Sequence, residues 1–506
     1  MLRRLIILFA WAPIAWGQWP DPRAVTNKPV PYSSTVLVPQ ITVPQVATPQ
    51  TTTVEIPKAG APPPPTKHTA TPVMNSPFMP NAAIRNPTTA DIARGSVHIV
   101  APPLPSAHAP ATEKPYPAGA TSRSPSTVAV NYRYVATTGN DANEGSPEQP
   151  WQTIQHAAEW AQPGAVVVVQ PGTYDPFHTV RSGTASQPIT FRAAGEVIIG
   201  PPGGQTPAEK HAKNLEEMYR LNNIHIQQCD YIIIDGFQVQ RAGRCGIFVV
   251  DSRGVVLRNN AVSASGVFGI LTGFAVEIQI ISNKTFNTIE QHGIYVSNSR
   301  VEHDQPVIRG NESYANAISG IQVNGDCQMG GDGSITEAVI EDNNVHDNGS
   351  KGLSLISISD STVQNNLIYN NGKKQGAGGI HLTDELGCKR PSSGNVVVNN
   401  TVIEPTIAGI RLTDGAADNI IFNNLLISPQ PLVDEVGDNK IDKGSNVCLH
   451  SGAGIFVNPE LGDYHPLATS PAAGQGLAKY FQKYAPRVDH DGRWRTTLNG
   501  LNAGAY

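Results

Sequence analysis

The sequence is poor in the features that usually mark a partner outright. It has only five cysteines, Cys229, Cys245, Cys327, Cys388 and Cys448, and none stands at zinc-site spacing. The odd count leaves at least one outside an internal disulfide. Charge of neither sign dominates, with 41 acidic against 36 basic residues. No basic stripe with interleaved aromatics occurs, so a nucleic-acid partner is not expected. Past residue 17 no run is apolar enough to cross a bilayer, so no membrane span is expected.

What is present changes along the chain. Residues 1–17 read as a signal peptide: Arg3 and Arg4 precede an apolar stretch from Leu5 to Trp16, and Ala15 and Gly17 suit a cut before Gln18. Residues 18–130 are rich in Pro, Thr and Ala, with Pro62 to Pro65 consecutive. Such a segment buries too little apolar surface to offset its ordering entropy, and its proline makes it a disordered, extended linker or stalk. Together these predict a chain exported beyond the inner membrane, secreted or displayed at the cell surface.

Residues 131–506 form the folded part. Tyr132 to Ala136 is expected as a strand, Trp151 to Ala161 as an amphipathic helix stopped by Pro163-Gly164, and Ala165 to Gln170 as a buried strand. Such a helix protects the first coil of an open-ended parallel structure from edge pairing. After it comes repetition. An apolar residue is followed three positions later by Asn at 260, 283, 311, 343, 366, 400 and 424. A Gly-apolar-x-apolar motif trails the first six of these, beginning at Gly269, Gly293, Gly320, Gly352, Gly379 and Gly409, with an earlier copy at Gly246. Strands this short are stable only when stacked, about 4.8 Å apart, around a shared Ile/Val/Leu interior. Asparagine tolerates left-handed bends, and its amide bonds to the Asn above and below. The expected architecture is all-β: a right-handed parallel β-helix with an N-terminal capping helix. Gly454-Ile-Phe-Val-Asn-Pro and Asp489-His-Asp-Gly-Arg near the end match a final coil and closing tail. In these pieces the chain resembles the pectin-lyase-like superfamily of secreted, carbohydrate-active β-helix proteins.

Alternation along each Gly-apolar-x-apolar strand turns x outward. Stacking predicts an exposed column of Phe248, Leu271, Tyr295, Gln322, Ser354, His381 and Arg411, flanked by His292, Ser319 and Lys351, with Asp326, Asp384, Glu385 and Asp414 just beyond. The long loops Asn324–Thr336 and Thr383–Asn395 rise on either side of a quick turn, which puts Lys351 and Ser354 on the floor of a cleft. Cys327 and Cys388 occupy matching places in those loops and are expected to be bridged, with Cys229 and Cys245 a second candidate pair. The resemblance implies an acidic polysaccharide cleaved by β-elimination. Lys351 would be the base, His381 and Arg411 would meet the sugar carboxylate, and Asp326, Asp384 and Glu385 would hold calcium. Tyr295, His292, Gln322, Ser354 and Asp414 would bind the glycan, and the protein would act as a monomer. A hydrolase would need paired aspartates on adjacent coils, of which Asn324-Gly-Asp326 is an isolated fragment. A non-catalytic module binding glycans along the same face is the competing reading.

Overall fold

The computed structural model describes residues 131–200, 220–299, 303–374, 378–385, 387–388, 390–495 and 500–506. The expected signal peptide and Pro-rich segment lie outside them. Successive short strands go to different sheets and return to each one coil later. Val256–Arg258 pairs with Gln279–Ile281, Ala261–Ser263 with Lys284–Phe286, and Phe268–Gly273 with Ile294–Ser297, all in parallel. The result is a right-handed parallel β-helix with three long sheets of twelve, ten and eleven strands.

The apolar repeat makes the interior. Ile247, Ile270, Ile294, Ile321, Leu353, Ile380 and Ile410 stack in register with no solvent exposure. Each such burial contributes about 1.5–3 kcal/mol. The helix Ile154–Trp160 closes the first coil. Thr153 caps it by accepting from the His156 N–H, and Ile154, Ala157 and Ala158 are its buried residues. The helix starts later than its apolar pattern suggests, because Trp151 is held in a bridge to Val135 and its indole N–H donates to the Asn143 carbonyl at 2.9 Å.

The repeated asparagines form one continuous buried ladder. Asn311 shows the unit: its Nδ2 donates to the Ile280 carbonyl at 2.8 Å and to Asn343 Oδ1 at 3.0 Å. Its backbone N–H donates to the same Oδ1 at 3.0 Å, and its own Oδ1 accepts from Asn283. The pattern runs from Asn260 to Asn446, one coil past the last asparagine of the sequence motif. The left-handed geometry expected at these asparagines sits one residue earlier. Asn259, Ser282, Gly310, Asp342, Asn365, Asn399 and Asn423 have φ between 54° and 63°. The preceding residue makes the bend, and the ladder Asn is thereby aimed inward. A second ladder, not visible in the motif, runs through Asn316, Asn348 and Asn371 and ends on the buried carboxylate of Glu404, which accepts from Asn371 at 2.7 and 2.8 Å.

Cys327 and Cys388 are joined in a disulfide, with their Cα atoms 5.7 Å apart. The bond closes a 61-residue separation, which constrains the unfolded chain by about 4 kcal/mol. The second expected pair is not made: Cys229 and Cys245 are both free and buried. They stand at opposite ends of neighbouring strands. Cys245 opens the strand Cys245–Val250, and Val250 pairs with Gln227, two residues short of Cys229. That places the thiols seven residues apart in register, five of them along the strand and so on the order of 15 Å, far beyond bridging reach.

Two outcomes follow from these bonds. Asn311→Ala should strand buried donors of Asn283 and lower unfolding free energy by about 3 kcal/mol, at about 1–3 kcal/mol per unpaired group, read from the denaturant midpoint. Thiol titration of the folded protein should find Cys448 reactive. Denaturation without reductant should raise the count to the three free cysteines, and reduction should then expose all five.

Candidate functional site

The ten-stranded sheet carries the outward column, and its register is the one the repeat implies. Phe248 lies beside Leu271, Leu271 beside Tyr295, Tyr295 beside Gln322, Gln322 beside Ser354, Ser354 beside His381, and His381 beside Arg411. Lys351 enters two residues before the strand Leu353–Ile356, and its Nζ donates to Ser354 Oγ at 3.3 Å. Burial lowers the pKa of this amine below that of an ordinary lysine, and the charge of Arg411 lowers it further, against a smaller opposing pull from Glu385. This face of the sheet thus holds a partly buried amine that binds its proton less tightly than an ordinary lysine does.

Both histidines are neutral. His381 is pushed down to about 3 by burial and then by the charges of Lys351 and Arg411. In this desolvated, cation-flanked position the imidazole is uncharged. Its Nε2 lies 3.0 Å from Thr413 Oγ1, whose hydroxyl donates onward to Thr383. That assigns the proton to Nε2 and leaves Nδ1 a buried acceptor without a partner. His292 is buried, and it also sits near 3, by burial and then by Lys351. Its Nδ1 accepts the Ser319 N–H at 3.2 Å, and its ring packs on Phe268 and Tyr295. It supports the floor from within, where a glycan contact had been expected.

The remaining polar groups are linked through Asn324, which the repeat did not single out. Its Nδ2 lies 3.4 Å from the Tyr295 hydroxyl and donates to Glu385 Oε2 at 2.9 Å, tying the floor to the far loop. The Tyr295 phenol is raised by burial first and then by the Asp326 charge. Arg411 is engaged: its Nε and Nη2 donate to Glu435 Oε1 at 3.0 and 2.6 Å, so its charge is partly spent before any ligand arrives. Glu435 and Thr413 lie in coils whose sequence carries no repeat signal for them.

The carboxylates separate into pairs. Asp326 is raised by burial and then by Glu385, and Asp384 by burial and then by Asp414. Asp414 itself is exposed in a left-handed bend beside Gly415. Among the described residues, no group of three or more His, Cys, Asp or Glu is placed to hold a metal ion. The three residues expected to hold calcium are divided between these two pairs. The charge that acts on Asp384 is that of Asp414, and the charge that acts on Asp326 is that of Glu385. The Cys327–Cys388 bond joins the loop that carries Asp326 to the loop that carries Asp384 and Glu385.

Comparison with known proteins agrees with this architecture. A family described as right handed beta helix region matches residues 277–458, and one described as periplasmic copper-binding protein (NosD) matches residues 191–330. An uncharacterized protein YwoF of Bacillus subtilis is 46% identical over 63 residues, 12% of this chain and 14% of that one. Pectate lyase PEL9 of Emericella nidulans is 36% identical over 104 residues, 19% of this chain and 25% of that one. The chain thus matches a quarter or less of these curated relatives' length. The crystal structure of pectate lyase Pel9A superposes with a TM-score of 0.55 at 16% identity, covering 74% of this chain and 96% of that one. No helix of the described residues is long and apolar enough to cross a membrane. The chain has the right-handed parallel β-helix fold, which it shares with pectate lyase Pel9A.

Proposed function

We propose that this protein is an extracytoplasmic carbohydrate-active enzyme that cleaves an acidic polysaccharide by β-elimination, with Lys351 as the base. One observation carries the reading: the Lys351 amine is partly buried on the outward face of the sheet, against Ser354 and within reach of the Arg411 charge, so its proton is held less tightly than an ordinary lysine's. The local match to a pectate lyase and the shared fold of a second one support it.

The step balances without a further reagent. The free Lys351 amine takes the proton on the carbon next to the uronate carboxylate. The electron pair released forms a carbon–carbon double bond as the bond to the leaving sugar oxygen breaks. That oxygen takes a proton from water. The positive charge of Arg411, which Glu435 orients, offsets the negative charge that builds on the carboxylate. Tyr295 and Gln322 continue the same surface, one strand apart.

The purified protein, given a panel of uronate polymers, should generate ultraviolet-absorbing unsaturated ends. Lys351→Ala should lower that rate about 10²–10⁴-fold, the usual contribution of a positioned base, while the thermal transition stays in place. Retained glycan binding with no absorbance on any polymer would instead establish a non-catalytic binding module. The base must be deprotonated, so the rate should rise with pH. Because the amine is shifted downward, the rise should level off below 10.5, the ordinary lysine value. A profile still climbing past that value would clear Lys351 of the role.

A further inference from the structure

The two ends of the solenoid are finished differently. At the first coil the helix Ile154–Trp160 buries Ile154, Ala157 and Ala158 against the interior. The last coil, residues 430–449, ends in bare strand edges. Its strands Gln430–Asp434, Lys440–Ile441 and Val447–Leu449 are the terminal strands of the three long sheets, each paired on one side only. Three interior columns run out here: Leu432 continues Ile410, Ile441 continues Ile421, and Cys448 continues Leu426, in register. Ile410, Ile421 and Leu426 have no solvent exposure, whereas Leu432 and Ile441 are partly exposed and Cys448 is exposed. A fourth column closes in a polar group. Asp434 follows Leu412, and its Oδ1 accepts from the Val436 and Gly437 N–H groups and from Asn439 Nδ2. The described chain after Leu449 bonds to the outside of earlier coils: the Leu477 N–H donates to Asn423 Oδ1, the Gly504 carbonyl accepts from Asn399, and Arg495 Nη2 donates to Asn365 Oδ1.

Unpaired strand edges around an apolar interior are a template for further strands, and this edge is complementary to itself. Lys440 and Asp442 flank Ile441, and with Ile441 turned inward both leave the sheet on its outer face. Both charges are fixed in place. Lys440 Nζ donates to Asp418 at 3.0 Å, and Asp442 Oδ1 accepts from the Gly444 and Ser445 N–H groups at 3.1 and 2.6 Å. When a second copy is laid antiparallel on this strand, about a two-fold axis at Ile441, each Lys440 stands opposite the Asp442 of the other copy. The two Ile441 side chains then meet over the joined interiors. The twenty residues of the end coil match the roughly 20–30 residues that each partner brings to a standard interface.

We propose that two copies of this chain join at this end, through antiparallel pairing of their Lys440–Ile441 strands, into a two-fold dimer in which each copy covers the open interior of the other. The dimer takes the place of the expected monomer and is independent of the catalytic reading.

Sedimentation equilibrium of the full-length protein over a concentration series should show a monomer–dimer equilibrium that stops at two copies. Lys440→Asp turns two opposite-charge pairs into two like ones and should weaken the dimer about tenfold, and adding Asp442→Lys should restore it. Cys448, reactive in the monomer, is covered in the dimer, so the rate at which a thiol reagent labels it in the unaltered protein should fall as the concentration rises. A monomer at every concentration would overturn the proposal. So would a dimer whose Cys448 is labelled as fast as the monomer's, or one that Lys440→Asp leaves unchanged while its thermal transition shows it folded.

Discussion

Everything in this molecule depends on buried amides that bond from coil to coil. A parallel stack of three-residue strands has too little pairing per coil to fix its own register, and a slip of one residue would turn every interior side chain outward. The asparagine ladder removes that freedom. Each Asn contacts the coil on either side through hydrogen bonds of about 3 Å, in surroundings where an unpaired amide is costly. Registry, once fixed at the corners, propagates along every strand, so the outward residues are aligned without choosing each other. The cleft is a by-product of that alignment, modified by what the loops bring.

This division explains what the sequence reveals. The fold was legible because the ladder and the Gly-apolar-x-apolar strands recur often enough to be seen through coil lengths that vary. The column from Phe248 to Arg411 followed from the two-residue period of a strand, and the structure puts its members in register, but Phe248, Leu271 and Ser354 are buried where exposure was expected. The second ladder was not legible: it begins on a threonine, ends on Glu404, and leaves too few asparagines between to show a motif. The bend residue was misplaced by one position because asparagines often stand at both neighbouring sites.

Electrostatics was the least legible layer. Residue types put His381 and Arg411 side by side but gave no sign that burial beside two cations would discharge the imidazole, or that Glu435 would occupy the guanidinium. Nor could spacing tell that the cleft acids divide into Asp326 with Glu385 and Asp384 with Asp414. Those outcomes depend on loop paths, and loop paths in a solenoid are set coil by coil. The same reason sank the Cys229–Cys245 pair: sixteen positions of sequence, most of one coil, carried the second thiol to the opposite edge of the sheet.

The Cys327–Cys388 bond gives the cleft a history as well as a shape. Stacked coils form from local contacts in any compartment, but the bridge between the two loops exists only after two thiols surrender their electrons. Scaffold and site are therefore completed by different chemistries. A chain held in a reducing environment would be a finished solenoid with an unfinished groove, and oxidation would be the last step of its assembly.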